Sequence, residues 1–118
     1  MKEVDTNMNI PFFHIPDIAA EVEIPKGGII SRTLHSDGDS RIVAFGFDTG
    51  QELTEHTSTM QAMLYFVSGE ATVSLGTETM EVGPGAFSMM RPQLPHSIVA
   101  KSPLVMLLVM IPVAKHGI

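Results

Sequence analysis

The chain contains no cysteine, and that absence removes a disulfide framework, a thiolate metal site and a cysteine nucleophile together. It also lacks a basic patch. Seven Lys and Arg face thirteen Asp and Glu, for a formal charge of −6, and the cations are scattered. Neither nucleic acid nor an anionic membrane surface is an expected partner, because each needs a cluster of positive charge to meet its own. Long apolar runs are missing as well. The longest, Leu104 to Ile111, is closed by Pro112 and is too short to span a bilayer as a helix. Met1 to Phe13 carries Lys2, Glu3 and Asp5 without an apolar core, so it does not read as a secretory signal, and a cytoplasmic location is expected. Helical periodicity is absent too; Asp17–Glu23 has room for a single turn.

What remains is a chain of 118 residues, 44% hydrophobic, long enough for one domain with a buried core. From Ile29 onward, short apolar or alternating segments are separated by turn residues. Ile29–His35 and Arg41–Phe47 flank Ser36-Asp37-Gly38-Asp39, and Gln51–Thr57 and Met60–Val67 follow. Ala71, Val73 and Leu75 alternate with polar neighbours, as do Met80 and Val82; Phe87–Met90, His96–Lys101 and Leu104–Ile111 complete the series. About nine short strands in one unit predict an all-β sandwich or barrel. The expected organisation is an N-terminal extension or edge segment over residues 1–28, a barrel over 29–113 and a tail over 114–118.

Leu104–Ile111 is apolar on both of its faces, whereas a strand in a two-layer fold needs only one buried face. Its outer face therefore wants a cover, either the residues before Gly27 or a second copy of the chain. A homodimer is the expected assembly, because large exposed apolar patches are uncommon on soluble monomers. Most of the nine methionines are expected to fill irregular gaps in a core or interface.

Two stretches carry a family resemblance. The first runs from Gly50 through His56, Ser58, Gln61 and Ala62 to Gly69; the second runs from Gly83-Pro84-Gly85 to Pro95-His96. Together they resemble the paired motifs of the cupins: a glycine, five residues, His-x-His, a short spacer, Glu and a glycine, then a Pro-Gly turn, an apolar strand and Pro-His. The likeness covers roughly Ile29 to Ile111. It implies a double-stranded β-helix, or jelly-roll barrel.

In metal-binding cupins the two His and the Glu of the first motif and the His of the second hold a divalent transition metal. The resemblance puts His56 and His96 at the first and last of those positions. Ser58 stands at the second His, and Ala62 (or Met63, with the longer spacer) at the Glu. Gln61 is the nearest available substitute, though an extended strand turns it away from Ala62 unless a bulge intervenes. The candidate metal ligands are thus His56, His96 and Gln61, and the candidate metals zinc, nickel, manganese and iron.

Read from the residues themselves, Glu52, Thr54 and His56 share one face of an ideal strand, with Ser58 continuing it. Such a polar row either faces solvent or lines a pocket. If Ala62 points inward, so do Leu64 and Phe66, while Tyr65 faces out. A pocket lined by Ser58, Ala62, Leu64, Phe66 and Met90 beside two histidines would suit a small, mainly hydrophobic or aromatic ligand. Arg91 precedes the Pro92–Pro95 loop near His96, a place from which it could line the mouth of that pocket; His14, His35 and His116 lie outside the motifs and are expected on the surface.

Three functions stay open on this reading. The first is a small-molecule-binding cupin without strong catalytic activity; the second is a metal-dependent oxygenase or isomerase using His56, His96 and an atypical third ligand. The third is a dimerisation module with a relic pocket.

Overall fold

The structure is a computed structural model, and it describes residues 11–113. The tail over 114–118, with His116, and the first ten residues of the N-terminal extension lie outside the described residues.

Among the described residues nine strands follow one short 3-10 turn, Ile18–Glu21, whose Ala19 amide donates to the Asp17 side chain. The strands are β1 (Ile29–Asp37), β2 (Ser40–Phe47), β3 (Glu52–His56), β4 (Gln61–Ser68), β5 (Ala71–Leu75), β6 (Glu78–Val82), β7 (Phe87–Met90), β8 (His96–Ala100) and β9 (Leu104–Ile111). They form two antiparallel sheets, a five-stranded one ordered β1-β2-β9-β4-β7 and a four-stranded one ordered β3-β8-β5-β6. Sequential strands repeatedly change sheets, the winding of a jelly roll. Among the described residues no helix is long and apolar enough to cross a membrane.

The period of two decides which side chains enter the core. On β4, Ala62, Leu64 and Phe66 are buried and Tyr65 is exposed, as the alternation requires. On β8, His96, Ile98 and Ala100 point inward, where Ile98 stands across from Val73 and Ala100 across from Ala71 of β5. Phe47, Leu104, Met106 and Met90 close the same cluster.

The outer face of β9 finds its cover partly within the chain. Gly46 of β2 pairs with Val105 of β9 and faces outward, away from Phe45 and Phe47. A Cβ on Gly46 would lie 3.0 Å from the Ile24 side chain and 3.4 Å from that of Val22, so the segment after the 3-10 turn packs directly on this row. Val105 is buried there. Further along the same face, the row Met63, Tyr65, Phe87 and Met89 remains accessible; Phe87 is 61% exposed. His35, expected on the surface, is half-buried, with its ring 4.7 Å from that of Phe13.

Candidate functional site

β3 ends at His56 and β8 begins at His96, on adjacent strands of the four-stranded sheet. Glu52 pairs with Val99 and Leu53 with Ile98, a register that would bring Glu55 opposite His96 if it continued. It does not continue. A β-bulge between Leu53 and His56 adds one residue to β3, and His56 pairs with His96 instead. The bulge overturns the face expected from strict alternation. His56 leaves the face of Glu52 and joins that of Leu53, which packs on the core. The polar row Glu52-Thr54-His56-Ser58 therefore does not exist as a single face.

The two rings stand 4.2 Å apart between centroids, tilted by 59°. His96 is the buried member, at 6% exposure, and His56 is exposed. Each ring is tethered in the same way: Nδ1 of His56 donates to the Thr54 carbonyl and Nδ1 of His96 to the Leu94 carbonyl, both at 2.9 Å. A carbonyl oxygen can only accept, so Nδ1 carries the proton in each neutral ring and Nε2 keeps its lone pair. Among the described residues neither Nε2 has a hydrogen-bond partner. Burial holds the His96 imidazole below its ordinary basicity; the Leu94 carbonyl works in the opposite direction and the nearby His56 adds to the lowering.

Two loops hold this end of the barrel. The Gln93 amide donates to the Ser58 carbonyl at 2.7 Å, joining the β7–β8 and β3–β4 connections, and the Gly76 amide donates to the Pro95 carbonyl at 2.8 Å. Gln93 adopts a left-handed conformation (φ 71°), which costs a side-chain-bearing residue about 1 kcal/mol or more.

The family model described as "Cupin domain" matches residues 43–111, more than half of the chain. This chain belongs to the cupin family. Among solved structures, a conserved protein of unknown function from Streptococcus pyogenes is 31% identical, with 98% of each chain covered and a TM-score of 0.79. A cupin superfamily protein from Desulfitobacterium hafniense is 20% identical, covering 89% of this chain and 96% of its own, also with a TM-score of 0.79. KdgF from a Halomonas species is 26% identical, covering 88% and 96%, with a TM-score of 0.70. Among curated proteins, none matches.

Cupins often bind metals, and the donors of this cupin can be tested for that role. His56 and His96 converge and offer two Nε2 lone pairs. The other positions offer little. Ser58 lies beyond β3, in the loop, and its hydroxyl accepts a hydrogen bond from the Met60 amide at 3.0 Å. Ala62 is an inward methyl. Gln61 pairs with Ile111 in a ladder that runs regularly to Phe66, so it shares the outward face of Met63 and Tyr65; the bulge that would have turned it inward is on β3 instead. Among the described residues no three His, Cys, Asp or Glu side chains gather where an ion could be held. Zinc ordinarily takes three or four protein ligands, and iron or manganese sites add a carboxylate to their histidines. The donors of this cupin do not fit a resident ion of that kind.

The expected pocket residues divide by depth. Ala62 and Met90 stand next to each other at the start of β4 and the end of β7, the strand ends that lead to and from the two site loops. Leu64 and Phe66 sit further in, packed in the core. Arg91 is exposed in the β7–β8 connection. The bulge carried no signal of its own in the sequence: neither glycine nor proline occurs between Glu52 and His56.

Proposed function

We propose that the protein is a cytoplasmic, small-molecule-binding cupin whose site is the His56–His96 pair, with no resident metal and no strong catalytic activity. The observation that carries this reading is the pairing itself: two imidazoles in contact, each fixed through Nδ1, each presenting an unused Nε2. Polar groups held this way on rigid strands fix the orientation of a ligand, while Ala62, Met90 and Leu94 supply apolar surroundings. Protein purified without a metal-affinity tag should contain far less than one equivalent of transition metal and keep its Tm in chelator. Hits from a fragment screen by thermal shift should disappear in the His56→Ala/His96→Ala double variant.

A second reading has one specific support. Histidines that ligate metals commonly donate their other ring nitrogen to a carbonyl or carboxylate, as both do here. A metal-dependent oxygenase or isomerase would then need a third donor outside the pair. Stoichiometric iron, manganese, nickel or zinc, lost in the double variant, would favour it over the first.

The homodimer forms part of the same proposal. Met63, Tyr65, Phe87 and Met89 make a continuous apolar row across β4 and the edge strand β7, and a second copy would cover it.

A further inference from the structure

We infer that the His56–His96 pair recognises a neutral hydrogen-bond donor, an alcohol, phenol or amide N–H, in preference to a carboxylate or phosphate; this rests on the small-molecule reading of the site. The geometry points there because of what the two rings have left to offer. Each Nδ1 proton is spent on a backbone carbonyl, so the free edge of each neutral ring is an acceptor. Two adjacent acceptors attract O–H or N–H groups and repel the lone pairs of an oxyanion.

Turning the pair into an anion site would require protonating it. His96 is buried beside Ile98, Leu75 and Leu94, where a positive charge is poorly solvated, and a second charge on His56 would stand 4.2 Å away between ring centroids. The surroundings supply no substitute charge at the rings. Across β3, β8 and the 57–60 and 91–95 connections the single cation is Arg91, exposed, while Glu52 and Glu55 lie on β3 itself. The whole chain is acidic, at −6. Apolar Leu75, paired across from His96, and Leu94, whose carbonyl holds its ring, favour a ligand whose donor sits on a hydrocarbon or aromatic body.

The test uses the intact chain with 15N-labelled histidine, at about pH 8, above the ordinary imidazole range. Ring nitrogen signals report which nitrogen carries the proton, and fragments are titrated in matched pairs in metal-free, oxygen-free buffer. Catechol beside benzoate comes first. The expected result is Nδ1–H tautomers in both rings and saturable Nε2 shifts with neutral donors but not with carboxylates. His96→Ala should weaken that binding roughly tenfold or more, the loss of one good hydrogen bond and its packing. Carboxylates that shift the two rings, above all if Arg91→Ala abolishes the effect, would overturn the inference and leave the binding site standing. A set in which no member of either class moves the His56 or His96 signals would overturn both the inference and the reading beneath it.

Discussion

His56 and His96, forty positions apart in the chain, lie ring against ring because a single extra residue on β3 brings His56, rather than Glu55, across from His96. Had the ladder run on without the bulge, a carboxylate would face the buried imidazole and the site would be an ion pair. The one-residue insertion therefore sets the chemistry of the site, and buried His96 sets its response to pH.

His96 is held below the ordinary imidazole value of 6.5, mainly by burial. In the unfolded chain it titrates at that ordinary value. Its neutral form therefore favours folding at pH above 6.5, and the advantage is lost as pH falls from there through the lowered folded value, because the unfolded state takes up the proton first. Thermal melts of the wild type and His96→Gln across that range should converge on acidification, the wild type losing Tm faster.

The two histidines should differ in their weight on stability. His96→Ala removes a buried ring and strands the Leu94 carbonyl, for an expected loss of about 1–3 kcal/mol. His56 is exposed, so His56→Ala should cost no more than about 0.5 kcal/mol. Urea unfolding of the two variants compares them directly. Equal losses would mean that the rings support each other more than their burial indicates.

Gly69 closes the first motif at the end of β4. Its φ is +87°, and an added Cβ would run into the Pro103 carbonyl oxygen and lie 2.8 Å from the Leu104 Cα, backbone atoms that cannot swing aside. Gly69→Ala should destabilise by about 3 kcal/mol or more, combining left-handed strain with a backbone collision. A denaturation midpoint close to that of the wild type would show that the Gly69–Pro103 approach relaxes easily.

The accessible row on β4 and β7 predicts an assembly. Sedimentation of the wild type should show a dimer, and Phe87→Lys with Met89→Lys should yield a folded monomer, since both side chains are exposed in the isolated chain. A wild-type monomer at high concentration would remove the homodimer from the proposal.

The alternating patterns made the architecture legible. Phe87–Met90 and Leu104–Ile111 were bounded correctly by turn residues alone, and Ala62, Leu64 and Phe66 point inward as their spacing from exposed Tyr65 demands. Local chemistry suffices there, because burial on one face of a pleated strand repeats every second residue. The motif glycines and Pro95-His96 likewise pointed to the cupin family, whose model matches residues 43–111. Depth and direction at the site were another matter. The β3 bulge follows from pairing with β8, and the local sequence from Glu52 to His56 contains nothing that specifies it. Only the assembled sheets decided that His56 faces His96, that no bulge turns Gln61 inward, and that Ser58 spends its hydroxyl on its own loop. Register belongs to a strand and its partner together, so a sequence read one strand at a time cannot contain it.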